Sequence, residues 1–122
     1  MHNFKELHIW QRSRELVKVI YQLTGEFPNS EHFGLISQMR RSAISIPSNI
    51  AEGSRKSSNK DFIRFLEISH SSSFELETQL ILSNDLGFIT ESELKNVLVI
   101  LEEIQKMIFG FIQKLKASEV RS

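Results

Sequence analysis

Along four stretches of the chain apolar residues return at alternating steps of three and four, the spacing of one buried helix face. In the first, Trp10, Ser13, Val17, Ile20 and Thr24 form a seam that Leu16 and Leu23 widen. This predicts a helix from about Leu7 to Thr24, ending near Gly25. Phe27-Pro28-Asn29-Ser30 reads as a short connection, because proline stops the incoming helix and Ser30 or Asn29 can cap the next one. The second helix is expected from about Glu31 to Gly53, with Ile36, Met39, Ala43, Ile46 and Ile50 on its seam. Pro47 falls inside that pattern, where it has no N–H to donate and crowds the carbonyl four residues back. A bend between Ala43 and Ser48 is predicted, and Gly53 suits a helix stop.

The third helix starts at Ser58-Asn59-Lys60-Asp61, which has capping-box order with aspartate for the usual glutamate. Phe62, Leu66, Ser69, Ser73, Leu76, Leu80 and Ser83 give its seam, the central serines permit close helix approach, and Leu86-Gly87 ends it. Thr90-Glu91-Ser92-Glu93 is a full capping box, so a fourth helix begins at about Glu91. Leu94, Val97, Leu101, Ile104, Ile108, Phe111 and Leu115 carry it to about Lys116, with the last few residues frayed. Four amphipathic helices on short loops make an all-α, antiparallel, up-and-down four-helix bundle with its second helix kinked near Pro47. A chain of 122 residues suits one domain over residues 1–122.

Two sets of residues fall off these seams. Gln38, Ser42, Ser45 and Asn49 flank the second helix's apolar face, and Ser45, Pro47, Asn49 and Glu52 are read as a structural polar network in which Asn49 or Ser48 satisfies the carbonyl that proline frees or pairs with a neighbouring helix. On the third helix Ile63, Phe74 and Ile81 lie about 100 to 120 degrees from the seam centre, with Ile68 and Leu82 on the opposite flank. Val99 and Phe109 are off the seam of the fourth. One core cannot cover both flanks, so self-association through Ile63, Phe74, Ile81, Val99 and Phe109 is expected.

Charge sharpens this picture locally. Fifteen basic residues balance fifteen acidic ones, which removes any global electrostatic case for nucleic acid or membrane. Yet Arg40 to Arg64 holds six basic residues against Glu52 and Asp61, whereas Phe65 to Gln105 holds eight acids against Lys95. Without cysteine there is no disulfide, thiolate metal site or cysteine nucleophile. The amino-terminal residues lack a signal peptide's apolar core and no apolar run approaches a membrane span, so a cytoplasmic protein is expected. A carboxylate-bridged metal pair needs two Glu-x-x-His motifs, and Glu67-Ile68-Ser69-His70 is a single copy. Ser71, Ser72 and Ser73 beside His70 and Glu75 do not make a triad, since helix neighbours turn away from one another. Neither an enzyme, a metal nor a cofactor is expected.

Gln38-Met39-Arg40-Arg41 followed by Ser45-Ile46-Pro47-Ser48-Asn49-Ile50-Ala51-Glu52-Gly53 resembles the signature of the small four-helix-bundle proteins encoded in intervening sequences of bacterial 23S ribosomal RNA genes. Phe4 to Leu7, Trp10-Gln11, Phe27-Pro28, Phe33-Gly34-Leu35, Asp61-Phe62, Phe65-Leu66 and Glu75 to Thr78 extend the likeness over nearly the whole chain. That family is similar to the accessory proteins of diversity-generating retroelements, and the resemblance implies a ring-shaped pentamer that binds nucleic acid. With the basic cluster it leads to the expectation of a non-enzymatic homo-oligomer that binds RNA or DNA backbone, with little sequence preference, through Arg40, Arg41, Arg55, Lys56, Lys60 and Arg64. The competing expectation is an adaptor that docks another protein, such as a polymerase or a ribosomal component.

Overall fold

A computed structural model describes residues 2–121, the side chains of 119–121 excepted. It is all-helical, with α1 at His8–Thr24, α2 at Leu35–Ser54, α3 at Asn59–Asp85 and α4 at Glu91–Arg121. Two 3-10 turns, Phe4–Glu6 and Asn29–Glu31, precede α1 and α2. Packing follows chain order, α1 on α2, α2 on α3 and α3 on α4, and α1 meets α4 to close an antiparallel bundle.

The seams of α2 and α3 lie where the periodicity puts them. Ile36, Met39, Ala43, Ile46 and Ile50 are buried, and so are all seven seam residues of α3, serines included. In α1 the buried line is Ile9, Ser13, Leu16, Ile20 and Thr24, so Trp10 and Val17 are flank rather than seam. Ser13 and Thr24 hold their hydroxyls dry by donating to the carbonyls of Ile9 and Ile20, each 2.7 Å away one turn back.

Helix ends depart further from expectation. α2 begins four residues later than Glu31, and neither Asn29 nor Ser30 caps it. Gly34 is its N-cap, with φ −109 and ψ −111, and the Glu31 carboxylate accepts from the Leu35 N–H at 3.4 Å. Pro47 sits within a continuous α2. At the α2–α3 turn Ser58 Oγ accepts from the Asp61 N–H at 3.1 Å, the forward half of a capping box. Thr90 and Glu93 make both halves, at 3.1 and 2.9 Å. α3 ends in a Schellman arrangement: Phe88 N–H reaches the Ser83 carbonyl, Gly87 N–H reaches that of Asn84, and Gly87 takes φ +81. α4 runs to Arg121, beyond the expected end at Lys116, and Ser122 lies outside the described residues.

Gly53 does not stop α2, which continues to Ser54. It is a contact point: a Cβ there would lie 2.7 Å from Phe65 Cβ and 2.9 Å from Phe62 Cδ1. Gly53→Ala is expected to cost about 1–3 kcal/mol in chemical denaturation, because the neighbour it meets is the start of α3 rather than a flexible side-chain tip. A variant as stable as the parent would show that this end of the helix pair opens freely.

Candidate nucleic-acid interface and an adjoining groove

The basic residues of Arg40 to Arg64 do not share one surface. Arg40 turns toward α1, donating to Thr24 Oγ1 at 2.9 Å and stacking over the Tyr21 ring at 4.3 Å. It is a half-buried strap between α1 and α2. Arg41 is exposed on the other flank of α2 beside α3, and 14 residues of helix put it about 20 Å from Arg55.

What remains together is the α2–α3 turn. Arg55 is the C-cap of α2, Lys60 lies in the first turn of α3, and both are exposed. Lys56 Nζ sits 5.1 Å from the centre of the Phe65 ring, and the Arg64 guanidinium sits 5.7 Å from the same ring. Arg64 also stands 3.9 Å from Asp61, an exposed ion pair worth little. Two cations over one half-buried aromatic, with two more beside them, make a small basic platform. Phe65 was absent from the sequence candidates, because its role depends on which side chains the turn folds over it.

The polar network on α2 also has a different membership. Asn49 Nδ2 donates to the carbonyl and the hydroxyl of Ser45, at 2.8 and 3.0 Å, so it does not serve the Ala43 carbonyl that Pro47 deprives of a donor. Ser45 Oγ in turn pairs with Ser72 Oγ of α3 at 2.9 Å. One turn away Ser42 Oγ donates to the Glu75 carboxylate, and Ser69 Oγ donates to the Ile46 carbonyl at 2.9 Å. Glu52 and Ser48 are exposed and stand outside this set. Between the two helices lies a groove of about 480 Å³ lined by Gln38, Arg41, Ser42, Ser45 and, across from them, Ser72, Glu75 and Gln79.

Gln79 is 7% exposed, and its carboxamide oxygen is buried without a hydrogen-bond donor. Leaving a buried polar group unpaired costs about 1–3 kcal/mol. Gln79→Met keeps the shape and removes that group, so it is expected to raise stability by about 1 kcal/mol in urea unfolding. A loss of the same size would mean that Gln79 is held by a bond of its own.

Of the apolar residues expected off the seams, Ile63 is in the core at 7% exposure. His70 meets Phe109, with ring centres 6.3 Å apart, so in this antiparallel pair the turns of α4 past Phe109 run back alongside Ile63, two turns before His70. Phe74, Ile81, Val99 and Phe109 are exposed, as are Ile68 and Leu82 on the other flank. His70 packs between Phe74 and Phe109, and burial there lowers its pKa from the ordinary histidine value, partly opposed by a hydrogen bond to the Gln105 backbone. Gln105 Nε2 donates to Glu77 across the same seam at 2.8 Å. Glu67 is exposed beside it, and no group of three or more His, Asp or Glu among the described residues is placed to hold a metal ion. Nor is any described helix long and apolar enough to cross a membrane. Phe33, in the α1–α2 connection, is 92% exposed and touches His32 edge-on, a feature the periodicity does not reveal because it lies between two seams.

The chain matches both a family model and solved structures. The family model described as 23S rRNA-intervening sequence protein matches residues 5–110. A crystal structure of a protein of unknown function from the S23 ribosomal protein family of Bacteroides thetaiotaomicron VPI-5482 is similar at a TM-score of 0.77 and 27% identity, over 85% of this chain and 97% of that one. No curated protein matches.

Proposed function

The chain belongs to the 23S rRNA-intervening sequence protein family, and on that premise we propose that it is a non-enzymatic homo-oligomer that binds the backbone of RNA or DNA through the α2–α3 turn. The observation that carries the reading is the pair of cations, Lys56 and Arg64, over the Phe65 ring at a turn that also carries the exposed Arg55 and Lys60. Guanidinium and ammonium groups neutralise phosphate, and an aromatic between them offers an unpaired base a face on which to stack. The monomer is neutral overall, so four cations at one turn make a weak site. Repeating that turn in an oligomer, a ring of five as the family resemblance implies, multiplies it. The exposed Phe74, Ile81, Val99 and Phe109 along the α3–α4 face supply the apolar contact for such an assembly.

Two measurements test this. Binding to single-stranded RNA, single-stranded DNA and duplex is expected to weaken steeply between low and physiological salt, through counterion release. Light scattering is expected to return a mass several times the 14.1 kDa of the chain. A monomer mass at high concentration ends the oligomer reading, and salt-independent or absent binding ends the nucleic-acid one. The exposed Phe33 favours the second reading, an adaptor that docks another protein, and such an apolar contact would keep its affinity as salt rises.

A further inference from the structure

The groove between α2 and α3 has an ordered register. The Ser42–Glu75 and Ser45–Ser72 bonds set the two antiparallel helices level with each other, and one turn further on the same register places Gln38 opposite Gln79. The first two levels are bonded across the groove. At the third neither carboxamide bonds across it, and the Gln79 oxygen is buried without a donor.

The vacant hydrogen-bonding groups define what fits. Gln79 Oε1 and the second oxygen of the Glu75 carboxylate are acceptors one helical turn apart on one face of α3. Both call for N–H donors from a ligand. Glu75 and Arg41 both line the groove without forming an ion pair, so it presents a carboxylate acceptor to a neutral N–H donor and a cation at its lip to an anion. Its volume, about 480 Å³, is that of a small-molecule site. An exocyclic amino group on a planar heterocycle brings two N–H bonds on one atom, one for each acceptor, while the ring nitrogen beside it accepts from a carboxamide NH₂. Glutamine reads adenine in this way, and glutamate reads the amino group of cytosine. Uracil presents a carbonyl oxygen in place of the amino group, against a carboxylate, and an N–H donor in place of the ring acceptor.

We propose that this groove holds one unpaired nucleobase bearing an exocyclic amino group, which donates to Gln79 and Glu75, with Arg41 at the lip to meet the attached phosphate. The base comes from a free nucleotide or from a single-stranded RNA. For the RNA source the inference rests on the nucleic-acid reading above, while the ligand chemistry of the groove stands without it. It adds a base-reading element to a surface that otherwise recognises only backbone.

Cytidine and uridine 5′-monophosphates differ at this edge by amino against carbonyl, and they make the test. In the full chain, labelled with nitrogen-15, the Gln79 side-chain amide resonances are expected to shift on titration with the cytidine nucleotide, which binds about tenfold more tightly than the uridine one. In Gln79→Met, folded as shown by an otherwise unchanged spectrum, the backbone amides of Ser45 and Ser72 no longer respond to cytidine. No shift with cytidine at millimolar concentration, equal affinity for the two nucleotides, or an undiminished response in Gln79→Met overturns the proposal. Oligocytidylate and oligouridylate binding at low salt separates it from the earlier reading. If neither RNA binds while the cytidine nucleotide does, the backbone surface fails and the groove stands. If both RNAs bind alike and the nucleotide does not, the groove fails and the surface stands.

Discussion

Truncating Phe62 to alanine is expected to cost about 3–5 kcal/mol of folding stability, a large share of the roughly 5–15 kcal/mol that holds a domain of this size together. Phe62 is 2% exposed in the first turn of α3, and its ring meets those of Phe111 on α4 and His2, at 5.4 and 5.2 Å between centres. The same ring fills the space over Gly53 at the end of α2. His2 is itself tied to that end, its N–H donating to the Ser54 carbonyl at 2.9 Å. The end of α2, the start of α3, the later turns of α4 and the amino-terminal segment therefore converge on one phenyl group. Gly53 already lets α2 lie close against Phe65 Cβ, which limits how far the two helices can close on the cavity. Urea unfolding of Phe62→Ala measures the loss. A change below about 1 kcal/mol would show that this end of the bundle does not unfold with the rest.

Replacing Arg55, Lys56, Lys60 and Arg64 together by glutamine is expected to weaken single-stranded RNA binding at low salt by about a hundredfold or more. The logarithmic salt slope should flatten by about 2–3, since each phosphate neutralised on a single strand contributes roughly 0.7. Arg55, Lys60 and Arg64 are exposed, and among the described residues their one close ion pair is the loose one between Arg64 and Asp61, so the fold should hold. Arg40→Gln is the contrasting variant. Its guanidinium is engaged by Thr24 and Tyr21, and its loss should reduce stability while leaving the salt slope as it was. If the fourfold variant binds as tightly as the parent, the surface is misplaced.

The bundle was legible in the sequence because a periodic seam, as on α3 from Phe62 to Ser83, is a property of one helix alone. What escaped depends on two helices at once. Gly53 read as a helix stop from local preference, yet the approach of Phe62 and Phe65 is what requires it. Ile63 read as surplus because it lies off the seam of α3, and the pattern of one helix does not say what its neighbours cover. Arg40 and Arg41 are adjacent and of one charge, but a turn of about 100 degrees sends one to Tyr21 and the other to the α2–α3 groove. Gln38, Ser42 and Ser45 were recognisable as a polar flank of α2. Their counterparts Ser72, Glu75 and Gln79 were not, since pairing them needs the interhelical register that the Ser42–Glu75 and Ser45–Ser72 bonds supply.

The order in which the helices pack has a bearing on how the chain reaches this state. α1 lies on α2, α2 on α3 and α3 on α4, so most interhelical contacts join segments that are consecutive in sequence. Only the closure of α4 on α1, where Arg12 reaches Glu103 at 3.0 Å, spans nearly the full chain. Local pairing of this kind requires little loop closure before it is rewarded, and helical bundles so built fold in microseconds to milliseconds. The α2–α3 hairpin, with its serine bonds and its contact at Gly53, can form while α1 and α4 are still searching, which makes it the expected nucleus and the closure of α4 on α1 the expected late step.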